Sequence, residues 1–216
     1  MTKLMHYLPV YIIMALTVLS CNCKNGEPTQ EPATENTETS DTFTKIAPTE
    51  IPGNIIQMVS KEWMLITAGN QDQYNTMTAS WGMMGELWGK PVATCFIRPQ
   101  RYTFKFMEEN QYYTLCFFDT VKYREALNFC GTKSGKDFPD QNKAEAAGLT
   151  PAFTDNGTPY FKEAWLVIEC KKLYAEQFDP KNFTTDEITK EGNRLYPTLS
   201  ELHKFYIGEM VNVYKR

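Results

Sequence analysis

Short runs of β-branched and aromatic residues, separated by glycine and proline, recur along this chain from residue 63 to its end. Trp63–Ala68, Val92–Arg98 and Tyr112–Phe118 are clear examples, and Gly69 and Pro99 stop the first two. Runs of this length and composition, bounded by turn residues, predict β-strands. Helical patterns are few and short, so the sequence predicts a mainly β fold, a β-barrel with short helices.

The other predicted elements lie between and after these strands. Further strands are predicted at Tyr74–Trp81, Tyr160–Tyr174 (one strand or two) and Phe205–Tyr214, short helices at Phe104–Glu109, Val121–Cys130 and Asn142–Ala147, and a hairpin turn at Asn156–Gly157. Gly131 is expected to end the second helix as the residue after its C-cap. Gly82, Gly85 and Gly89 predict a loop between the second and third strands, and the polar stretch Phe178–Tyr196 predicts another.

The first 20 residues have the pattern of a signal peptide. Lys3 precedes an apolar run, Tyr7–Leu19, that is shorter than the roughly 20 residues of a transmembrane helix. The sequence Val-Leu-Ser-Cys at 18–21 resembles a bacterial lipobox, in which the cysteine is acylated and becomes the new N-terminus. The resemblance implies lipidation at Cys21 and a membrane-anchored lipoprotein on the periplasmic or outer-membrane side. An uncleaved signal anchor or a core helix is the alternative.

A polar segment surrounds and follows the predicted lipidation site. Residues 21–50 are rich in Thr, Glu, Pro and Asn and contain few large apolar side chains. Because such a segment buries too little surface to offset the entropy lost on ordering, it is predicted to be a disordered tether. The alternative is that its end, Phe43–Ile51, packs on the folded domain as an arm. The folded domain is expected to span residues 51–216.

Charge and motif content exclude several classes of function. The formal net charge of −4 is unsuited to nucleic-acid phosphates, so no nucleic-acid partner is expected. Two histidines and scattered cysteines do not supply a zinc site, and no metal is expected. Cys95, Cys116, Cys130 and Cys170 stand singly in apolar runs and are expected to be buried, although one disulfide among them stays open. The chain contains no G-x-G-x-x-G, no P-loop and no G-x-S-x-G sequence.

Chemically active side chains are concentrated between residues 75 and 103. Because side chains alternate along a strand, Thr76, Thr78 and Ser80 are expected to share one face. Their hydroxyls, repeating at about 6.6 Å, suit a ribityl-phosphate chain better than a single reacting atom. The opposite face carries Asn75, Met77, Ala79 and Trp81. The alternative is a polar face that is simply solvated.

The end of the same stretch offers groups that bind anions. Arg98 and Arg101 bracket Pro99, and guanidinium groups hold phosphate through paired hydrogen bonds. Tyr102, like the tryptophan that ends the preceding strand, offers aromatic surface for a flat ring. Thr103 stands at a predicted helix start, where it can cap the helix and where backbone N–H groups favour an anion. The stretch is therefore interpreted as the wall of a phosphate site, against the alternative that its arginines are merely exposed.

Motifs in a fixed order resemble the flavin reductase-like, FMN-binding split-barrel family, which includes flavoredoxin-like proteins. They are N-T-M-T-A-S-W-G from Asn75, K-P-V from Lys90, R-P-x-R-Y-T from Arg98, Gly131 with S-G-K-D from Ser134, G-L-T-P from Gly148 and I-G-E-M-V from Ile207. The resemblance extends from about Ile56 to Tyr214. It implies a homodimer of split barrels, with FMN bound noncovalently near the dimer interface.

By position, the resemblance also implies roles for individual residues. Those implied to line the flavin are Asn75, Met77, Thr78, Ser80 and Trp81, and those implied to hold the ring edge or the phosphate are Arg98, Pro99, Arg101, Tyr102 and Thr103. Ser134 and Lys136 would close the phosphate side, from this chain or from the partner. His203 precedes Gly208 by five residues, where some flavin reductases carry a histidine near the nicotinamide, and is the candidate catalytic residue. A surface or packed histidine is the alternative, because Glu201 and Leu202 replace the Gly-Asp of those relatives.

The resemblance implies an FMN-dependent oxidoreductase that passes electrons through the flavin, with NAD(P)H or an electron-transfer protein as donor. The predicted signal peptide favours a protein donor, because NAD(P)H is scarce outside the cytoplasm. Two alternatives remain open. One is a flavin-binding electron carrier without NAD(P)H activity, and the other is a scaffold lipoprotein that has lost the flavin.

Overall fold

The computed structural model describes residues 42–216, which form a mainly antiparallel β-barrel with short helices, as expected. The strands are β1 (Thr44–Ile46), β2 (Met64–Gly69), β3 (Tyr74–Ala79), β4 (Gly82–Leu87), β5 (Lys90–Ile97), β6 (Tyr112–Phe117), β7 (Pro151–Phe153), β8 (Pro159–Phe161), β9 (Leu166–Gln177) and β10 (Lys204–Lys215). The helices are α1 (Ile55–Gln57), α2 (Thr103–Glu109), α3 (Thr120–Thr132), α4 (Lys143–Ala146) and α5 (Asp186–Leu195). A π-helix spans Met58–Glu62, and 3₁₀ turns span Pro48–Glu50, Gly135–Asp137, Pro180–Asn182 and Leu199–Glu201. Within residues 42–216, no helix is long and apolar enough to cross a membrane.

Eight strands form one curled sheet. Their order is β3-β2-β6-β9-β10-β5-β4, with β1 beside β10, and neighbouring strands are antiparallel. β3 and β4 lie at opposite ends of this order, yet Ser80 and Trp81 alone separate them along the chain. The sheet must therefore curl until its two ends meet. Gly82 lies at this closure, since a Cβ there would be 3.0 Å from the Met64 side chain of β2 and 3.0 Å from the Thr94 carbonyl of β5.

A buried carboxylate fastens the β7–β8 hairpin to the sheet. β7 and β8 form a separate two-stranded sheet, and Gly157 in their turn has the positive φ that the predicted hairpin requires. Glu169 of β9 is fully buried. It accepts hydrogen bonds from the hydroxyls of Thr154 and Thr158, both at 2.6 Å, and from the amides of Asn156 at 3.1 Å and Asn212 at 2.5 Å. These four donors replace the water that the carboxylate loses on burial.

Two segments predicted as loops are regular structure. The glycine-rich segment after Trp81 is β4, which pairs with β5 over its whole length, so strand pairing outweighs the low strand propensity of glycine. The stretch Phe178–Tyr196 contains α5. The Thr185 hydroxyl accepts a hydrogen bond from the Ile188 N–H at 3.2 Å, and acidic residues fill the first helical turn. These are ordinary helix-start signals in an otherwise polar sequence.

Two predicted helix ends are also wrong. Gly131 lies inside α3, which continues to Thr132. A Cβ at Gly131 would be 3.2 Å from the Cβ of Thr78, so the small residue allows α3 to pack closely on β3. Thr103 is the first residue of α2 rather than its cap, because Tyr102 takes the N-cap position and makes no capping hydrogen bond.

The end of the predicted tether packs on the domain. Residues Thr44–Ile46 pair with the end of β10, and the Phe43 ring packs edge-on against Tyr160 with the centroids 5.6 Å apart. The arm is therefore correct for this part of the chain, and a tether reaching residue 50 is wrong. The predicted signal peptide, Cys21 and the remainder of the tether lie outside the described residues.

Four cysteines contribute to the core. Cys95, Cys116, Cys130 and Cys170 are completely buried, as expected, and are unpaired in the part of the chain that the structure describes. Burial raises the pKa of each thiol, because the thiolate would lose its hydration. They therefore act as small apolar side chains.

Candidate functional site

A cavity of about 140 Å³ lies where β3, the turn before α2, the loop after α3 and α4 meet. We term it the Arg101 cavity. Positive and polar groups dominate its lining, which consists of Asn75, Met77, Gln100, Arg101, Tyr102, Thr103, Thr132, Lys133, Ser134, Gly135 and Lys143. The cavity brings together six of the site residues that were predicted from the sequence: Asn75, Met77, Arg101, Tyr102, Thr103 and Ser134.

A close contact between β3 and the loop after α3 closes one side of the Arg101 cavity. Asn75 is buried, and its Nδ2 donates to the Thr103 hydroxyl at 2.7 Å and to the Thr76 carbonyl at 3.2 Å. A Cβ at Gly135 would lie 2.2 Å from the Asn75 Oδ1. Glycine at position 135 therefore allows the backbone to approach Asn75 this closely.

Reciprocal hydrogen bonds fix the backbone of the Ser-Gly-Lys-Asp motif. The Ser134 hydroxyl accepts from the Lys136 N–H at 3.3 Å, and the Asp137 carboxylate accepts from the Ser134 N–H at 3.3 Å. This capping box holds the 3₁₀ turn that follows. The Lys136 side chain is exposed and lines an adjoining polar groove, with its ammonium 5.7 Å from the centre of the Tyr102 ring.

Two cationic side chains meet at the C-terminal end of α3. Arg101 donates from Nη2 to the Gly131 carbonyl at 2.9 Å. Lys143 donates from Nζ to the carbonyls of Cys130 and Lys133, each at 2.9 Å. The last carbonyls of a helix lack partners within the helix and carry its partial negative charge, so they hold cations well. The end of α3 thereby positions both cations at the cavity.

Lys143 is a site residue that sequence reasoning missed. Its side chain is 2% exposed, and burial lowers its pKa to about 8. The Cys130 thiol and Asp137 act in the opposite direction, and Arg101 lowers the pKa further. An anion in the cavity would therefore stabilise the charged forms of Arg101 and Lys143. No local pattern marks Lys143 in the sequence, because its burial depends on how α4 docks against α3.

The row of hydroxyls along β3 does not provide the predicted set of donors. Thr76 is buried and donates to the Ile66 carbonyl at 3.2 Å, and Thr78 donates to the Leu127 carbonyl at 2.5 Å. Ser80 is exposed beyond the end of the strand. The two threonine hydroxyls therefore join β3 to β2 and α3, and it is the opposite face of β3 that meets the Arg101 cavity.

A second cluster contains the predicted aromatic and histidine side chains. The rings of Trp81 and His203 lie 4.9 Å apart at an angle of 39°. The Tyr196 hydroxyl lies 2.6 Å from the His203 Nδ1, and the Arg98 guanidinium lies 5.1 Å from the centre of the Tyr196 ring. Arg98 and His203 are thus parts of one aromatic and cationic cluster.

His203 is held in its neutral form. Burial lowers its pKa to about 4, and Arg98 adds to the effect. Burial also raises the pKa of Tyr196, so its hydroxyl keeps its hydrogen and can donate a hydrogen bond to the His203 Nδ1. In the tautomer that accepts this hydrogen bond, the ring hydrogen of His203 is on Nε2. At neutral pH the His203 ring therefore carries no positive charge, and its N–H group can donate a hydrogen bond.

Residues 57–216 match the family model described as flavin reductase like domain. The chain belongs to this family. The matched range agrees with the resemblance expected from the sequence motifs. No curated protein sequence matches the chain.

Solved structures share the fold of this flavin reductase-like domain. Flavoredoxin from Methanosarcina acetivorans is 17% identical with a TM-score of 0.54, covering 72% of this chain and 68% of its own. An FMN-binding domain of a flavin reductases-like enzyme from Shewanella baltica is 16% identical with a TM-score of 0.56, covering 81% and 77%. An NADH:FAD oxidoreductase from Streptomyces globisporus is 11% identical with a TM-score of 0.53, covering 72% and 75%. These similarities confirm the split-barrel fold.

The flavin reductase-like domain separates the two arginines that were predicted to act together. A turn joins them, with the Arg101 N–H donating to the Arg98 carbonyl at 3.0 Å across Pro99. Arg101 lines the cavity, whereas Arg98 lies over the Tyr196 ring. The two predicted phosphate ligands are therefore divided between the two clusters, and Lys143 is the buried cationic residue beside Arg101 in the cavity.

Proposed function

We propose that this protein is an FMN-binding oxidoreductase that holds FMN noncovalently, with the phosphate in the Arg101 cavity. The convergence of Arg101 and Lys143 on one small polar cavity carries the proposal. Two cations beside hydroxyl and amide groups form a site for an anion. Support for FMN as that anion comes from the motifs around Asn75 and Ser134 and from relatives described as FMN-binding.

The residues of the cavity fit the phosphate end of FMN. Arg101 supplies a planar set of donors, Lys143 a compact charge, and Thr103 and Ser134 hydroxyls. The close backbone approach at Gly135 leaves this wall free of a side chain. Small-molecule sites usually enclose about 300–1,000 Å³, so a cavity of about 140 Å³ suits one end of the ligand rather than the whole of it.

The protein's own residues have few chemical tasks in such a function. Bound FMN supplies the redox chemistry, accepting and donating electrons through its ring system. Arg101 and Lys143 bind and orient the phosphate. Trp81 offers a ring surface that is 43% exposed, and neutral His203 beside it offers an N–H donor. His203 is accordingly proposed to orient a substrate by hydrogen bonding rather than to act as an acid at neutral pH.

The proposed setting is a membrane surface on the periplasmic or outer-membrane side. Lipidation at Cys21 would anchor the chain there through the residues that precede the domain. The proposed assembly is a homodimer, with Ser134 and Lys136 closing the phosphate side from this chain or from its partner. An electron-transfer protein is the proposed donor, and NAD(P)H is the alternative that experiment separates from it.

A comparison of two arginines tests FMN binding. Arg101 and Arg124 each donate from Nη2 to a backbone carbonyl, but only Arg101 of the two lines the cavity. We expect Arg101→Ala to weaken FMN binding by about 1.5–3 kcal/mol and to change riboflavin binding little, because riboflavin lacks the phosphate. Arg124→Ala is the matched control and should leave both affinities unchanged. Equal FMN affinity in both variants would place the phosphate elsewhere.

The colour of the purified protein and its reduction test the redox function. Protein lacking residues 1–22 should be yellow, with a flavin absorbance maximum at about 450 nm. In an anaerobic titration, bleaching by NADH or NADPH would identify a reductase, whereas reduction by dithionite alone would indicate an electron carrier. A colourless protein that takes up no added FMN would refute the proposal.

A further inference from the structure

A larger cavity, of about 530 Å³, lies beneath α5, between the end of β9 and the start of β10. We term it the α5 groove. Its volume falls in the range of about 300–1,000 Å³ that is usual for small-molecule sites. Of its lining residues, the proposed flavin function involves only Tyr196, the hydrogen-bond partner of His203. The part of the lining between Phe178 and Tyr196 was predicted to be a loop.

Aromatic and aliphatic side chains form the walls of the α5 groove. They are Phe178, Phe183, Tyr196, Phe205, Ile188 and Leu195. Phe178 packs on Phe205 with the ring centroids 5.7 Å apart at 36°. These two rings and the Phe183 ring are half buried, so part of their aromatic surface faces the groove.

The helix that covers the groove is held by few buried contacts. Gly192 is the buried residue of α5, and a Cβ there would lie 2.5 Å from the Phe183 ring. Ile188, one turn earlier, is 50% exposed. Glycine inside a helix costs about 1 kcal/mol relative to alanine, so it is explained here by the close approach to Phe183. An element with so little buried surface opens at low cost and can admit a ligand.

Acidic side chains supply the charge of the groove. Glu176, Asp179 and Glu191 line it, and among the described lining residues there is no lysine or arginine. Arg194 neutralises Glu191 through paired hydrogen bonds at 2.5 and 2.8 Å. The charges of Glu176 and Asp179 remain at the rim, where they attract cations and repel anions such as nucleotides.

We propose that the α5 groove binds a small organic cation of the quaternary ammonium type, with an aromatic or alkyl body. Aromatic faces attract such cations through the negative charge of the ring surface, and neighbouring carboxylates add attraction. Phe178, Phe183 and Phe205 supply aromatic surface in the groove. Tyr196 serves as an apolar wall, because the Arg98 guanidinium lies over its ring. The site is separate from the Arg101 cavity and does not depend on flavin binding.

A matched pair of ligands tests the proposal on the full-length protein without added flavin. The cation 3-hydroxyphenyltrimethylammonium and the neutral 3-tert-butylphenol have the same shape and differ in charge. Isothermal titration calorimetry should show the cation binding at least about tenfold more tightly, with an affinity that falls as salt is added. Equal affinity for the two would mean a merely apolar groove and would overturn the proposal, as would a lack of binding by the cation.

Variants locate the binding to the groove. Phe183→Leu keeps apolar volume but removes the ring face, and should weaken cation binding about twofold to thirtyfold. Asp179→Asn removes a rim charge while keeping the hydrogen bond that its side chain accepts from the Lys181 N–H. It should also weaken binding, whereas Asp155→Asn in the β7–β8 turn should not. Loss of affinity in the Asp155 variant alone would place the cation outside the α5 groove.

Discussion

Raising the pH from 7 to 9 is expected to weaken FMN binding about tenfold through one side chain, Lys143. Burial lowers its pKa to about 8 in the flavin-free protein. The charged fraction of this lysine therefore falls from about 90% at pH 7 to about 10% at pH 9. A phosphate monoester stays doubly charged over this range, because its second pKa is about 6. If the phosphate needs the ammonium, the dissociation constant rises about tenfold, which is about 1.4 kcal/mol.

The stability of the flavin-free protein should change in the opposite direction. The pKa of Lys143 is lower in the folded protein than its usual 10.5, so between about pH 8 and 10.5 the unfolded chain binds more protons. Unfolding free energy contributed by this group therefore increases as the pH rises through that window. The folded protein gains stability from losing the proton, while the FMN complex loses affinity.

Fluorescence titrations with FMN at pH 7, 8 and 9 measure the effect, and riboflavin provides the ligand control. Lys143→Arg keeps the positive charge at all three pH values and should remove the pH dependence of FMN binding. Lys143→Met should bind FMN weakly at every pH, although the carbonyls of Cys130 and Lys133 then lose their shared partner. A tenfold change that persists in Lys143→Arg, or that riboflavin shares, would refute the assignment to the lysine and the phosphate.

Three further predictions concern single residues. Gly135→Ala should lower the free energy of unfolding by about 1–3 kcal/mol and weaken FMN binding, since its Cβ would lie 2.2 Å from the Asn75 side chain. Gly85→Ala is the control and should be tolerated, because no atom lies within 4 Å of its Cβ; urea unfolding compares the two variants. Glu169→Gln should destabilise the protein by about 1.5–3 kcal/mol in thermal or urea unfolding, because charge-assisted hydrogen bonds are lost, and unchanged stability would contradict that role. The His203 ring should titrate near pH 4 when followed by NMR, and a midpoint near 6.5 would show that the ring is solvated. Because the unfolded chain takes up this proton near pH 6.5, the free energy of unfolding should fall as the pH drops from 6.5 to 4.

The sequence was most informative where a local pattern decides the structure. The β-type run at Tyr112–Phe118 became β6, and the Asn-Gly turn became the β7–β8 hairpin, because side-chain shape and positive φ act within a few residues. The order of the motifs identified the family. The motifs also predicted one phosphate site for Arg101 and Ser134, and both residues line the same cavity although they are far apart in sequence.

Features that depend on packing between elements could not be predicted from local sequence patterns. The buried state of Lys143 arises from the docking of α4 on α3, and no neighbouring residue in the sequence indicates it. The Thr76 and Thr78 hydroxyls looked available because their carbonyl partners lie on other elements. The strand β4 exists because β5 pairs with it, despite its glycines. In each case a partner distant in sequence decides the outcome.

The place of β10 in the sheet has a consequence for how the chain acquires its structure. This strand, Lys204–Lys215, lies between β9 and β5 and also pairs with β1 at the start of the domain. Contacts between parts of a chain that are so far apart in sequence form late and slow folding. Until β10 is in place, β5 and β9 therefore both expose an unpaired edge. Completion of the barrel must wait for β10, and until then the two unpaired edges can pair with strands of other chains.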